Sequence, residues 1–597
     1  MKKQNLKSVV VLALVVILAL SACLVACNKK DTPDPTPSTP TPPTPTPVVD
    51  PDPNYDPDNH SNKAIIYVTA LFGGGLYNEA TNEPVWDPFY TEFSLYDHWA
   101  PESSTIYDFA GVLGEFSDEM GDAVLMILDA MSYTEGTLLY DLSLDEDGNG
   151  LNPNVVPANL NSDMEKPVDI DGDSLHCYYG AVAIYKQFIL ETRKQFGDEY
   201  DCIIFNQDWR KSPADSAAVL EQFVNNLGYD EIIFMSHSMG GPVVNSYLAR
   251  SQANRDKVKL YLAFAPATLG SFDAYGAMTC PKDYLGAFLT TFGFNLEDLL
   301  ADAAVGSIVN MVLNKIGLFF NNNCGMMALC PCFEFLNSEQ LGGDSAGGLI
   351  VDGKKIGLCE DLSDPDAVEA AKQELYDFYN TLNWALYLDD DGKTIHYEDG
   401  DDAGSKGIVR IVNGKTKGSI DCNVVCYEKN GNVTLSDDGF GNPICVNKKG
   451  DRIKFGAARL KTYYEGLYVD GDIAMSKVNS YIFLGTGIKS TNTGCIMVTK
   501  TDENGDPILD ENGYPSYTCT LVHDDLAPVG EEGWVGGDGM VCTAASMAGQ
   551  DLDTLKAEGR VLIYEDYWHA DVGGAWPLLG KDVLELMDGV INAKTKK

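Results

Sequence analysis

Short apolar runs alternate along the chain with longer stretches in which apolar residues recur at helical spacing. The runs have the length of buried strands, and two of the longer stretches end at a glycine, Gly197 and Gly228. The predicted strands are 64–68, 202–205, 232–235 and 258–264, and the predicted helices lie near 178–195, 220–227 and 242–249. This order predicts βαβ units, and therefore an α/β fold with a mostly parallel central sheet.

The alternation stops in the middle of the chain and resumes later. Residues 275–455 lack it, whereas strand-like runs return at 481–484 and 561–564. An interrupted sheet implies an inserted segment. We therefore predict that 63–274 and 456–597 are the first and second parts of one core, and that 275–455 form a cap or lid over it.

The first 62 residues carry targeting information rather than a fold. A positive start, an apolar run and small residues lead into cysteine in residues 1–27, which is the layout of a lipoprotein signal peptide. We place lipidation at Cys27, because polar residues follow it directly, with Cys23 as the alternative. Residues 28–62 are rich in Pro and Thr and predict a disordered, extended linker.

This arrangement predicts an exported, cell-surface lipoprotein that is anchored to the membrane through its N-terminal lipid. An uncleaved anchor helix is the alternative interpretation of residues 1–27, and it would also put the remaining chain outside the cytoplasmic membrane.

The charge of the chain excludes one large class of partners. Its 597 residues include 42 Lys and Arg against 88 Asp and Glu, a formal net charge of −46. A polyanionic nucleic acid would be repelled, so we expect no nucleic-acid binding. Adsorption of the folded body to an anionic bilayer is disfavoured for the same reason.

The strongest chemical motif is SHSMGG at 236–241, between a predicted strand and a predicted helix. A nucleophilic serine needs a strained strand-to-helix turn that presents its hydroxyl at a helix N-terminus, and small neighbours allow that crowding. Ser236 stands where the first glycine of such a motif usually lies. We interpret Ser238 as the nucleophile; the alternative is a structural turn with a buried serine.

An acyl-transfer site also needs two N–H donors for the oxyanion. One is expected from the backbone of Met239, directly after the serine. The second is expected from the loop after the first strand, at Leu71 or Phe72, although the glycines of this loop are also explained by a plain tight turn.

The general base and its acid are expected after the serine, in the order Ser, acid, His. Of the histidines that follow Ser238, we choose His569, which comes after the strand 561–564 and before the last helix. For the acid we choose Asp538, with Asp470 or Asp472 as the rival. The two other later histidines lie in a predicted acidic hairpin and in a polar loop before the chosen acid, at His396 and His523.

Taken in order, these motifs resemble the lecithin:cholesterol acyltransferase family. The matching pieces lie within about 62–270 and 456–597: the strand and glycine loop at 65–76, Asp208-Trp209-Arg210, SHSMGG, the segment 265–271, Phe483-Leu484-Gly485-Thr486-Gly487, Gly537-Asp538-Gly539 and His569. The first loop differs from the family, since Thr69-Ala70 stand in place of its usual Pro-Gly.

The resemblance implies an α/β-hydrolase that acts on lipid esters through Ser238, Asp538 and His569 and an acyl-enzyme. Whether the acyl group passes to water or to an alcohol stays open, and so does the oligomeric state. A lipoprotein that keeps the fold as a catalytically silent binding module is the alternative function.

We expect no cofactor or metal. Residues 145–150 begin like a calcium loop, but Val156 occupies the position of its last ligand, so calcium remains the weaker alternative. The segment 502–515 is similarly acidic and is more typical of a hairpin connection. Asp208 and Arg210 are interpreted as a structural pair.

Overall fold

The structure is a computed structural model, and it describes residues 61–81, 83–86, 138–144, 150–157, 181–279, 284, 323–342, 345–382, 387–388, 394–396, 408–415, 421–429, 432–435, 445–446, 457–488, 491–508, 517–523, 536–574 and 576–592. The predicted signal peptide, with Cys23 and Cys27, and almost all of the predicted linker lie outside these residues. Among the described helices, none combines the length and apolar character needed to cross a membrane.

The strands are β1 (Lys63–Val68), β2 (Leu76–Asn78), β3 (Glu83–Trp86), β4 (Val155–Pro157), β5 (Asp201–Phe205), β6 (Glu231–His237), β7 (Val258–Phe264), β8 (Gly348–Val351), β9 (Lys354–Lys355), β10 (Tyr387–Leu388), β11 (Thr394–His396), β12 (Ile408–Lys415), β13 (Asp421–Lys429), β14 (Asn432–Leu435), β15 (Cys445–Val446), β16 (Tyr468–Val469), β17 (Asp472–Ile473), β18 (Ser480–Thr486), β19 (Asn492–Thr499), β20 (Tyr517–His523) and β21 (Val561–Glu565).

The helices are α1 (Leu138–Leu142), α2 (Ala181–Phe196), α3 (Pro213–Asn226), α4 (Gly240–Arg250), α5 (Gln252–Lys257), α6 (Phe272–Thr279), α7 (Cys324–Met327), α8 (Phe333–Leu336), α9 (Pro365–Leu382), α10 (Ala457–Glu465), α11 (Thr543–Met547), α12 (Leu552–Ala557), α13 (His569–Gly574) and α14 (Trp576–Ile591).

A six-stranded sheet forms the centre of the fold. Its strands follow the order β21-β18-β7-β6-β1-β5, and every neighbouring pair is parallel. The α/β class and the parallel sheet predicted from the apolar pattern are therefore confirmed. Each predicted strand lies within a strand of this sheet.

Both faces of the central sheet are covered, which explains why its strands read as continuous apolar runs. In β1, Ile65 and Tyr67 face one core cluster, while Ile66 and Val68 face the other. Helices α2 and α14 pack on the first face, and α3 and α4 on the second. Successive side chains of a strand point to opposite faces, so each strand contributes to both cores.

Local sequence signals account for the bounds of α3. Ser212 is the N-cap, and its hydroxyl accepts a hydrogen bond from the backbone N–H of Asp215 at 3.2 Å. Pro213 occupies the first helical position, where no N–H is needed. After the helix, Gly228 has φ +72°, a conformation that glycine adopts without steric cost.

A second, four-stranded sheet joins parts of the chain that the sequence assigns to different domains. Its order is β20-β19-β8-β9. Strand β8 belongs to the predicted insertion and pairs in parallel with β19, which belongs to the predicted second core part. The division at 274 and 455 stays a prediction, but the described residues on its two sides share this sheet.

Arg210 lies at the edge of the core and is almost completely buried. Its guanidinium contacts Asp208 at 2.8 Å and donates hydrogen bonds to the carbonyls of Asp141 and Val155, each at 2.9 Å. Burial acts to raise the pKa of Asp208, but the Arg210 guanidinium outweighs it and holds that pKa below its usual value. The interpretation of these two residues as a structural pair agrees with this geometry.

Replacing Arg210 by alanine should therefore destabilise the fold. The change leaves the Asp208 carboxylate and two carbonyls without their donor, and we expect a loss of about 3 kcal/mol in the free energy of unfolding. Urea unfolding measures this loss. The control is Lys194→Ala, which removes a positive charge whose side chain is 79% exposed. A loss for Arg210→Ala as small as that of the control would contradict the structural role.

Candidate functional site

Ser238 occupies a strained turn between β6 and α4. Its φ is +53°, a left-handed conformation that costs a residue with a Cβ on the order of 1 kcal/mol. The following glycines explain why α4 can begin so close to the sheet. A Cβ at Gly240 would lie 2.4 Å from the Val68 carbonyl oxygen, and one at Gly241 would lie 2.4 Å from Pro266 Cβ. The strand-to-helix turn expected from the motif is present.

The loop after β1 lies against the same turn, because the Val68 carbonyl contacts Gly240. Within the loop, the Gly73 N–H donates to the Ala70 carbonyl at 3.1 Å, and Phe72 has φ +58°. The indole N–H of Trp86 holds the Phe72 carbonyl at 2.9 Å. The structure thus brings Leu71 and Phe72 to the sheet edge where Met239 begins α4. Their oxyanion role stays a prediction.

Asp538 and His569 meet in a buried contact. The Asp538 Oδ2 atom lies 2.7 Å from His569 Nδ1, and the side chains are only 2% and 8% exposed. The other carboxylate oxygen, Oδ1, accepts the backbone N–H groups of Met540 and Val541 at 3.1 and 2.8 Å. An ionised carboxylate only accepts hydrogen bonds, so in a neutral imidazole paired with it Nδ1 is the donor and Nε2 is the acceptor.

The loop that carries Asp538 is held from two sides. The Gly539 N–H donates to the Thr491 hydroxyl at 2.8 Å, and the Ser271 hydroxyl donates to the Met540 carbonyl at 2.6 Å. The Asp538 backbone carbonyl also accepts the His569 N–H at 2.8 Å. The acid and the histidine are therefore tied together through main chain as well as side chain.

The rival acids lie elsewhere. Asp472 forms an exposed ion pair with Lys477 at 2.6 Å, and Asp470 lies in the tight turn between β16 and β17. Of the other two histidines, His396 ends β11, which pairs with β10 and β12, and His523 ends β20. Among the described residues, the carboxylate that contacts His569 is that of Asp538.

Ser238 and His569 are brought to the same region. The ring of His237, directly before the serine, lies 4.7 Å from the His569 ring between centroids. In the described part of the chain the Ser238 hydroxyl and the His569 imidazole form no hydrogen bond.

Two acids beside this site, the buried Asp273 and the half-buried Asp571, were missed by the sequence analysis. Asp273 Oδ1 accepts a hydrogen bond from Asn492 Nδ2 at 2.9 Å, and burial, helped by the nearby Asp538, raises the pKa of Asp273 well above its usual value. Burial also raises the pKa of Asp571 to about 6. Burial therefore favours the protonated form of Asp273 over the carboxylate. No sequence signal distinguished these acids from surface carboxylates.

His237 and Tyr185 were also missed as members of the site. The Tyr185 hydroxyl lies 2.9 Å from His237 Nδ1, and both side chains are buried. Burial, and then the neighbouring His569, lower the pKa of His237 well below its usual value, so this imidazole is neutral. The available sequence signal was a polar group in an otherwise apolar segment: His237 ends the apolar strand β6, and Tyr185 lies on the apolar face of α2.

Metal binding finds no support in the described residues. Within them, no group of three or more His, Cys, Asp or Glu side chains is placed to hold an ion. Residues 145–149 of the calcium-like loop lie outside the description. In the second acidic segment, the Asp502 carboxylate accepts the backbone N–H groups of Asn504 and Asp506 at 2.8 and 3.0 Å, as in a local turn. That the protein needs no cofactor stays a prediction, with calcium as its weaker alternative.

Comparison with known proteins agrees with the α/β fold and its serine turn. Residues 179–292 match the family model described as lecithin:cholesterol acyltransferase, which confirms the resemblance over that segment. The match includes α2, the Ser238 turn and α6. No curated protein sequence matches the chain.

Among solved structures, the chain is similar to one titled "The crystal structure of Tle4-Tli4 complex". The sequence identity is 14% and the TM-score 0.34, over 86% of this chain and 96% of that chain. A similarity this weak carries no argument about function.

Gly485 in β18 leaves room for the acid loop, and its replacement by alanine should disturb the site. A Cβ there would lie 2.7 Å from Asp538 Cβ and 2.8 Å from both the Tyr567 carbonyl and Val572. We expect Gly485→Ala to lower the free energy of unfolding by about 1–3 kcal/mol in urea unfolding.

The matched control is Gly589→Ala in α14, where an added Cβ meets nothing within 4 Å. Removing a glycine from an open helical position should raise stability by roughly 0.5–1 kcal/mol. Equal effects of the two alanines, in size and sign, would mean that Asp538 does not need the space above Gly485.

Proposed function

We propose that the chain is a serine acyl-transfer enzyme that acts on lipid esters through Ser238, His569 and Asp538. The observation that carries the proposal is the buried 2.7 Å contact between Asp538 and His569, which lies beside a serine held at positive φ. A structural role alone explains neither the strain at Ser238 nor the burial of an acid–imidazole pair next to it.

In the first step, His569 Nε2 takes the proton of the Ser238 hydroxyl as the serine oxygen attacks the ester carbonyl. Asp538 stabilises the imidazolium that forms and holds its ring in the correct tautomer. The tetrahedral oxyanion accepts hydrogen bonds from the Met239 N–H and from Leu71 or Phe72. His569 then returns the proton to the leaving alcohol, and the acyl group remains on the serine.

In the second step, water or another alcohol attacks the acyl-enzyme. His569 again accepts the proton of the attacking hydroxyl and returns it to the Ser238 oxygen as the acyl bond to serine breaks. Hydrolysis and acyl transfer therefore use the same residues and differ only in the acceptor that reaches the acyl-enzyme.

Two observations support a lipid ester as the substrate class. One is the family match over residues 179–292. The other is an apolar surface beside the acid and the base, where Met540 is 42% and Trp568 is 37% exposed although both are large hydrophobic residues. Trp568 lies over Gly539, so the two side chains border the Asp538 loop and can contact an acyl chain.

The proposed location follows from the N-terminal sequence. We infer that lipid on Cys27, or on Cys23, holds the enzyme at the cell surface and that residues 28–62 separate its body from the membrane. The net charge of −46 makes the folded body a poor ligand for anionic headgroups, so the lipid rather than the protein surface supplies the attachment.

The nucleophile can be tested with a fluorophosphonate probe on the full chain. We expect the wild type to be labelled, Ser238→Ala to be unlabelled and His569→Ala to be labelled about 10²–10⁴ times more slowly, since that range is typical of a lost general base. In-gel fluorescence over time gives the rates.

The control is Ser246→Ala, which removes a buried hydroxyl from the neighbouring helix α4. That hydroxyl has no hydrogen-bond partner among the described residues. Labelling of Ser246→Ala should match the wild type. Undiminished labelling of Ser238→Ala would refute the site. An unlabelled wild type, with a competent control enzyme, would favour the catalytically silent binding module.

The acceptor can be determined by product analysis. With a phospholipid substrate we expect free fatty acid in water, and a new ester when a lipid alcohol is added if the enzyme is a transferase. Mass spectrometry of the products with and without the alcohol measures the partition. Release of fatty acid unaffected by any alcohol identifies a hydrolase, and no product from wild type argues against lipid esters.

A further inference from the structure

A continuous chain of hydrogen bonds runs from the first loop to the proposed base. The Ala70 N–H donates to the Tyr185 hydroxyl at 3.1 Å, and that hydroxyl lies 2.9 Å from His237 Nδ1. On the other side of the ring, His237 Nε2 lies 3.0 Å from the backbone carbonyl oxygen of His569. The His237 imidazole therefore bonds directly to the segment after β21 and, through the Tyr185 hydroxyl, to the loop after β1.

The direction of each bond follows from the chemistry of its ends. A carbonyl oxygen only accepts, so His237 Nε2 must carry a proton and donate to His569. Because the imidazole is neutral, Nδ1 is then an acceptor, and the Tyr185 hydroxyl donates to it while accepting from Ala70. Every polar atom of the His237 ring is satisfied by this one arrangement.

Packing keeps the ring in place. A Cβ at Gly573 would lie 2.3 Å from His237 Cγ, so only a glycine lets α13 approach so closely. The Tyr67 hydroxyl donates to the Gly573 carbonyl at 2.7 Å. The His237 ring also lies over the His569 ring, at 4.7 Å between centroids and an interplanar angle of 37°.

We propose that His237 is a positioning residue for the base, and that Tyr185 sets its tautomer; this inference rests on the proposed function of Ser238 and His569. His237 directly precedes the serine in the chain and holds the main chain of His569. A single side chain thus sets the distance between the turn that carries the nucleophile and the loop that carries the base. Tyr185 extends the same constraint to Ala70, beside the predicted oxyanion donors.

Two substitutions at His237 separate the effect of its hydrogen bond to His569 from the effect of its hydrogen bond to Tyr185. The amide of glutamine can reach the position of Nε2 and donate to the His569 carbonyl, whereas asparagine reaches only the position of Nδ1 and can accept from Tyr185. His237→Gln therefore keeps the bond to the base loop, and His237→Asn loses it. Tyr185→Phe keeps the ring that packs against Tyr67 at 4.5 Å and removes only the hydroxyl.

The readouts are the fluorophosphonate labelling rate, kcat and KM for a soluble short-chain ester, and the thermal midpoint, all on the full chain. We expect His237→Asn to lower kcat and the labelling rate about tenfold to a hundredfold with KM little changed, because a misplacement near 1 Å has that cost. His237→Gln should be about tenfold faster than His237→Asn, and Tyr185→Phe should fall between His237→Asn and the wild type.

A purely structural role predicts a different result. His237→Gln and His237→Asn would then lose labelling equally, in proportion to the fall in their thermal midpoints, and this result overturns the proposal. Labelling of His237→Asn at the wild-type rate overturns the proposal as well. In either case the proposed function still stands if the probe labels the wild type and does not label Ser238→Ala.

A spectroscopic measurement of the His237 ring tests its hydrogen-bond arrangement and does not depend on enzyme activity. In full-length protein labelled with ¹⁵N-histidine, the signal that disappears in His237→Gln should be a neutral imidazole protonated at Nε2 at pH 7. If the wild type is not labelled by the probe, the proposed function fails, and this signal still tests the bridge. A proton on Nδ1, or a charged ring, overturns the assignment of His237 and Tyr185.

Discussion

The common direction of the central strands is the constraint on which the candidate site depends. In a parallel sheet the carboxyl ends of all strands meet at one edge. The loop after β1, Ser238 after β6 and His569 after β21 are therefore brought to that edge from distant parts of the chain. Asp538 joins them because its loop packs on Gly485 of β18.

Polar groups at this edge are buried, so the hydrogen bonds that they make contribute strongly to the stability of the site. An unpaired polar atom in a low-dielectric interior is costly, and a satisfied network is correspondingly rigid. The Asp538 carboxylate has three hydrogen-bond partners, and His237 is bonded at both ring nitrogens. The raised pKa of Asp273 favours its neutral form, which reduces repulsion of the nearby Asp538. The same contacts therefore hold these side chains in place and limit charge repulsion between them.

Within the predicted insertion, the described segment 323–342 is packed into the core rather than set apart from it. Gly325 donates its N–H to the Arg210 carbonyl at 3.1 Å, and a Cβ there would lie 2.0 Å from the Trp209 carbonyl oxygen. Cys332 likewise donates to the Leu269 carbonyl at 3.0 Å. These contacts attach the segment to loops at the edge that carries the site, so its described residues support the site from the side.

The sequence by itself predicted the central strands, several of the helices that cover them and the serine turn, and it chose His569 as the expected base, because apolar periodicity, glycine positions and chain order are local or one-dimensional signals. It chose Asp538 over Asp470 and Asp472 from the motif and chain order, and Tyr185 lay within the predicted helix near 178–195 without an assigned role. Only the tertiary structure decided which carboxylate contacts His569 and that His237 bridges two loops. Those contacts depend on strand order and on close packing between residues far apart in the chain, which no local pattern records.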